Sequence, residues 1–158
     1  MIRSRHPFLA VALLVALASC SAPIGYQERD LVWGPFYGYE DKRISEDEFS
    51  ITTIGDVFTP AERVANITLL RAAYLTREQS ATHFIVVTKK DQDLERMRLD
   101  TLPNPFYPFA PMYVGELPNT DRIAIMVIRV LPPDESPPLD AVDAKDVIAR
   151  LKDKLNGG

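Results

Sequence analysis

A single cysteine, Cys20, stands in this chain of 158 residues, so no disulfide can form within it in any redox compartment. The same scarcity leaves no cysteine cluster for structural zinc. Of the two histidines only His83 lies beyond the first twenty residues. A lone histidine at the mouth of a strand could bind metal or sense pH, but with no second His or Cys to share a site its reading is structural. The chain also lacks a Gly-x-Ser-x-Gly elbow and a glycine-rich phosphate loop. Its serines, aspartates and His83 nowhere take the spacing of a triad. Paired carboxylates are uninformative in a chain with 22 acidic residues. These absences argue against an enzyme and imply no cofactor. An excess of basic charge is absent too, the formal net charge being −4, which removes the electrostatic reason to bind nucleic acid or anionic lipid.

What is present begins at the N-terminus. Arg3 and Arg5 precede an unbroken apolar run over residues 8–18, the anatomy of a secretory signal. The run is shorter than the roughly 20 apolar residues of a membrane span. It ends in Leu17-Ala18-Ser19-Cys20, which resembles the lipobox of bacterial lipoprotein precursors. The resemblance implies that Cys20 receives a thioether-linked diacylglycerol, that a signal peptidase cuts before it, and that the new amino group is then acylated. Ser21, where an Asp would favour retention in the inner membrane, implies the outer membrane. Without residues 1–19 the basic side chains fall from 18 to 16 against 22 acidic ones, a net charge of −6. Attachment to a membrane must then come from acyl chains, at roughly 0.8 kcal/mol per buried methylene.

Residues 20–32 read as a lipidated tether without periodicity, and residues 33–158 as one domain. Residues 33–39 are aromatic and glycine-bearing and enter that domain as an edge strand or ordered turn. In residues 48–54, Phe49, Ile51 and Thr53 alternate with Ser50 and Thr52, the period of a half-buried strand. Thr59-Pro60-Ala61-Glu62 predicts a helix start with Thr59 as cap and Glu62 closing a capping box. Val64, Ile67, Leu70 and Tyr74 continue that helix to about residue 79. Residues 83–88 read as a buried strand, which suggests a βαβ unit. Residues 123–131 form another strand, and Ala144, Val147, Ile148, Leu151 and Leu155 mark a C-terminal helix capped by Asp143 and stopped by Gly157.

Between the last two strands lies a long loop, about residues 91–121. Its prolines exclude an ordinary helix or central strand over residues 103–118. Residues 104–113 interleave proline with Phe106, Tyr107, Phe109 and Tyr113. Such a segment either docks on a partner or the membrane interface, or folds back over its own sheet. The acidic runs Glu46-Asp47-Glu48 and Asp91-Gln92-Asp93 lack the alternation and glycine of a calcium loop and read as solvated charge. Arg71, on an otherwise apolar stretch of helix, either bridges to a carboxylate across a helix–sheet interface, marks a binding surface, or lays its methylenes on apolar surface with its charge in water. The last is the favoured reading.

Several pieces together resemble a group of small proteobacterial lipoproteins without an assigned function. The pieces are Gly38-Tyr39 through Ile44, the strand from Phe49 to a glycine at Gly55, Leu69-Leu70-Arg71-Ala72-Ala73-Tyr74-Leu75-Thr76, His83-Phe84-Ile85-Val86-Val87 and Asp143-Ala144-Lys145-Asp146-Val147-Ile148. The chain departs from that group at Tyr74, where Glu is usual, and at Ser80-Ala81, where glycine and an aromatic are common. The resemblance implies a small envelope lipoprotein of one α+β domain and carries over no catalytic or ligand residue.

The fold expected is therefore α+β: a small mixed sheet of three to four strands covered by two helices, with a long proline/aromatic loop. The function expected is that of a lipoprotein anchored through Cys20, facing the periplasm, with a non-catalytic interaction or scaffolding domain whose contact surface is Phe106, Tyr107, Phe109 and Tyr113. The alternative is a small-ligand or metal-binding envelope sensor with a pocket between helix and sheet.

Overall fold

The computed structural model describes residues 23–31, 36–87, 99–102, 112–117 and 121–156. The elements in chain order are strands β1 (Gly38–Arg43) and β2 (Glu48–Gly55), helix α1 (Ala61–Glu78), strands β3 (His83–Val86), β4 (Leu99–Leu102), β5 (Met112–Glu116), β6 (Arg122–Val130) and β7 (Val142–Asp143), and helix α2 (Ala144–Asn156). Cys20, Trp33, Asp91, Asp93, Phe106, Tyr107, Phe109 and Gly157 lie outside the described residues.

β6 is the centre of the sheet. One edge pairs along its full length with β2, from Gly55↔Arg122 to Glu48↔Arg129. The other edge is shared, with β3 opposite residues 128–130 and β5 opposite residues 122–125. β1 then adds to β2, β7 to β3 and β4 to β5. Hydrophobicity explains the central place: Ile123, Ala124, Met126, Ile128 and Val130 are all buried, and only a strand covered on both edges and one face needs so many apolar residues.

The α+β class stands, and the strand count is corrected: six strands and a two-residue seventh replace the expected three or four. The sheet is also not mixed, since every strand pair is antiparallel. The expected βαβ unit is present in split form. β2 and β3 both run antiparallel to β6, hence parallel to each other, but β6 lies between them. β1 was hidden by its charge, because an edge strand can carry Glu40, Lys42 and Arg43 in water and a half-buried Asp41 on the helix side. β4 and β5 correct the expectation of a long loop over residues 91–121 with no central strand over residues 103–118, since β5 lies in that stretch and pairs with both β4 and β6. Pro103 and Pro111 bound the two segments, and Leu99–Leu102 and Met112–Glu116 contain no proline to interrupt their ladders.

Alternation in β2 decides its faces: Phe49, Ile51 and Thr53 are buried, while Ser50 and Thr52 are only partly so. α1 packs over β2, β6 and β3 through Val64, Ile67, Leu70 and neighbours, and α2 packs against α1 through Val147, Leu151 and Leu155. The helix–sheet space is filled. Ile51, Ile67, Leu70, Phe84, Met126 and Ile128 are each 1% exposed or less. Two buried threonines are satisfied there, with the Thr53 and Thr68 hydroxyls 2.7 Å apart and Thr68 also 3.0 Å from the Val64 carbonyl.

The helix ends differ in how far local signals hold. Asp143 caps α2 as expected, its Oδ1 accepting from the backbone of Lys145 at 2.7 Å and Asp146 at 3.3 Å. α1 has Pro60 at its cap position and no side-chain cap. Thr59 instead donates to Asp56 Oδ1 at 2.6 Å and receives the Ile24 N–H at 3.4 Å, which takes it away from the helix. At the other end of α1, Ser80 adopts φ +60° and the Ala81 N–H reaches the Thr76 carbonyl at 3.1 Å, a left-handed closure that favours glycine. Replacing Ser80→Gly should therefore stabilise the chain by about 0.5–1 kcal/mol, read as a higher urea midpoint at unchanged slope; an unchanged or lower midpoint would show that Ser80 is unstrained.

Candidate functional site

The densest polar and aromatic cluster forms where the N-terminal segment meets the domain. Residues expected to be a loose tether are folded here. Ile24 is 9% exposed and belongs to the core, because its carbonyl accepts from Arg63 Nε and its side chain joins the apolar layer. Arg63 also donates through Nη2 to the Leu155 carbonyl at 3.2 Å. One guanidinium thus ties the entering chain to the last turn of α2, where a cation is favoured. The segment continues beside β1, with Tyr39 N–H donating to the Gln27 carbonyl at 2.9 Å and Arg29 N–H to the Tyr39 carbonyl at 2.8 Å. Gly38 makes this approach possible. A Cβ there would stand 2.4 Å from the Gln27 carbonyl oxygen, and its φ of +141° suits glycine.

Next to this crossing, the Tyr26 ring stacks on Tyr39 with centroids 4.8 Å apart and tilts against Tyr74 at 5.5 Å. The Arg71 guanidinium lies 5.2 Å over Tyr39. Arg71 is paired on both sides: Nε donates to Asp41 at 2.8 Å, and Nη1 donates to Glu78 at 2.7 Å. Second contacts at 3.3 Å and 3.1 Å make both pairs two-pronged. With its side chain 13% exposed, Arg71 does not hold its charge in water as favoured from sequence; it bridges helix to sheet. Burial works against its positive charge, but the hydrogen bonds and charges of Asp41 and Glu78 outweigh it and raise its pKa. Tyr74 supplies an aromatic wall to this cluster. The arrangement holds three chain segments together and presents no open reacting group.

The remaining candidates are spread out. His83 sits with Nδ1 2.9 Å from the Thr82 hydroxyl and Nε2 4.0 Å from Asp143, whose other oxygen caps α2. That is a structural junction of β3, β7 and α2. Glu46 and Asp47 lie in the β1–β2 turn, where Ser45 donates to Asp47 at 3.0 Å and Arg43 to the Glu46 carbonyl at 2.6 Å. Among the described residues no group of three or more His, Cys, Asp or Glu could hold a metal ion, and no helix is long and apolar enough to cross a membrane. Of the expected contact residues only Tyr113 is described, in β5 opposite Ile125. An open cleft of about 610 Å³ is lined by Glu28, Arg29, Asp30, Leu31 and Glu40, so it lies beside β1 and not between helix and sheet. Arg29 Nε is buried there with no hydrogen-bond partner among the described residues, and its Nη1 is 3.9 Å from Glu40.

No family model, curated protein or solved structure matches this chain.

Burial, followed by the neighbouring Tyr39, raises the Tyr26 pKa well above its ordinary value, against a smaller lowering by Arg71. An unfolded tyrosine loses its proton near pH 10 (about 10), while Tyr26 in the folded chain keeps its own. Above that pH the unfolded state binds fewer protons, so the contribution is complete below it and is lost as the pH rises towards the folded value. Urea midpoints across about pH 9.5–11.5 should fall less steeply for Tyr26→Phe, by up to about 1.4 kcal/mol per pH unit; parallel curves would show that Tyr26 does not couple to folding.

Proposed function

We propose that this chain is a lipid-anchored envelope protein, held through acyl chains on Cys20 in the outer membrane and facing the periplasm, whose α+β domain is a non-catalytic interaction or scaffolding module. The carrying observation is the lipobox-like Leu17-Ala18-Ser19-Cys20, placed four residues before the buried Ile24. The break after the apolar run thus coincides with the start of the packed domain, as a cleavage and anchoring point should. The non-catalytic reading is supported by how the conspicuous polar residues are used: Arg71 with Asp41 joins helix to sheet, Glu78 pairs with Arg71 on the same helix, and Arg63 ties the N-terminal segment to α2. The resemblance to small proteobacterial lipoproteins supports the anchor and the single α+β domain.

Metabolic labelling with an alkynyl fatty acid tests the anchor. The wild type should take label and lose residues 1–19, while Cys20→Ala should take none and keep its N-terminus; an unlabelled wild type ends the proposal. The proposed contact surface is Phe106, Tyr107, Phe109 and Tyr113. Crosslinking in intact cells should capture a protein with the wild type and lose it when all four are serine, once that variant is shown to be lipidated and folded. An unchanged set of partners would return the segment to a cover over the domain's own sheet.

The second reading, a small-ligand or metal-binding sensor, is favoured by one observation, the unpartnered Arg29 Nε at the cleft beside β1. A small molecule that binds the native state would raise the melting temperature of the wild type and leave Arg29→Ala unmoved.

A further inference from the structure

The end of the domain nearest Cys20 carries exposed apolar side chains. Phe58 is 64% exposed and Val57 49%, on the turn between β2 and α1, and Phe36 is 67% exposed just before β1. The three lie at one end of the sheet, since β1 starts at Gly38 opposite Ile54 and β2 ends at Gly55. Tyr37, next to Phe36, places its hydroxyl 3.5 Å from Asp121 at the same end, and the charges of Asp121 and, more weakly, Asp56 raise its pKa.

The turn is built to present these residues outwards. Asp56 Oδ1 accepts the Phe58 N–H at 3.2 Å and the Thr59 hydroxyl at 2.6 Å, and the Asp56 carbonyl accepts the Thr59 N–H at 3.0 Å. Gly55 lets the turn fold back tightly, because a Cβ there would meet Thr59 at 2.9 Å and Val64 at 3.0 Å. Val57 and Phe58 are thus held on a fixed turn with their side chains in water, an arrangement the domain's own core does not require.

The entering chain is bound to that same turn. Ile24 N–H donates to the Thr59 hydroxyl, and its carbonyl accepts from Arg63 in the first turn of α1. Cys20 is four residues from Ile24, and four extended residues span at most about 14 Å. Chain length therefore keeps the anchoring point within that reach of Ile24, which is hydrogen-bonded to the turn that carries Val57 and Phe58.

We infer that the Val57–Phe58 turn, with Phe36, is a membrane-docking surface that inserts into the interface of the bilayer holding Cys20 and fixes the domain with this end against the membrane. The inference rests on the proposed acylation of Cys20. Acyl chains bring the surface to the interface, and apolar side chains on a rigid turn then exchange water for the headgroup–acyl boundary. The β1–β2 turn, at the opposite end of the strands, faces away, which leaves it and the acidic Glu46 and Asp47 in the aqueous space.

The test uses the full chain, purified in its acylated form and reconstituted into phosphatidylcholine–phosphatidylethanolamine vesicles. Acylation blocks the Cys20 thiol, so a fluorophore can be attached to one new cysteine at Val57→Cys, Phe36→Cys or, as the distal control, Glu46→Cys. Lipids with a quencher in the upper acyl chain should quench the Val57→Cys and Phe36→Cys labels several-fold more than the Glu46→Cys label. A second variant adds Phe58→Ser and Val57→Ser to Phe36→Cys, both at exposed positions, and should reduce quenching at residue 36 about twofold or more. Equal quenching at both ends overturns the orientation. Quenching at residue 36 that the serine pair does not change shows that the short tether alone sets it, and overturns the insertion. Mass spectrometry separates this from the anchor: an unmodified Cys20 overturns both readings, whereas acylated Cys20 with unquenched labels overturns this one alone.

Discussion

Everything else in this domain depends on β6 being paired along both edges. β2 occupies one edge throughout, and the other is divided between β3 near its C-terminal end and β5 near its N-terminal end. β3 and β5 run in the same direction along that edge, so they act as two pieces of one interrupted strand, and the chain between them forms the excursion that contains β4. The apolar face so created, Ala124, Met126, Ile128 and Val130 together with Ile51 and Phe84, is the surface that α1 needs to bury its own stripe. Without a disulfide available, this packing carries the stability of the fold.

Polar interactions then attach the periphery to that core. Arg71 ties β1 to α1 through Asp41 and to Glu78, and stacks over Tyr39. Arg63 ties the N-terminal segment to both helices. In each case a guanidinium replaces what a larger core would do by burial, because its planar fork satisfies two partners at once. The consequence for function is geometric. Ile24 is buried in the core four residues after Cys20, so the proposed lipid on Cys20 would be held close to one particular end of the domain.

Several elements were legible locally. The alternation of Phe49, Ile51 and Thr53 marks the buried face of β2, and the spacing of Val64, Ile67 and Leu70 marks the buried stripe of α1. Asp143 caps α2 because Asp at that position needs only the next two or three backbone amides. Thr59 was misread for the opposite reason. Its hydroxyl has a local choice, the helix end, and tertiary partners in Asp56 and Ile24, and the latter win. Strands β1, β4 and β5 escaped for lack of period, since charge in β1 and the prolines flanking β4 and β5 conceal strands whose ladders are supplied by neighbours, β5 by one on each side.

What the sequence by itself determined is composition and local pattern: an apolar run before the single Cys20, no internal disulfide, an acidic balance, and the apolar faces of β2, β6, α1 and α2. These follow from residue type and short-range spacing. Tertiary structure alone decided that β6 separates β2 from β3, that Arg71 is held half-buried between Asp41 and Glu78, and that Ile24 and Tyr26 close onto residues 39, 59 and 74. Each of these joins residues distant in the chain, and no local period records which distant partner a backbone amide or a guanidinium will find.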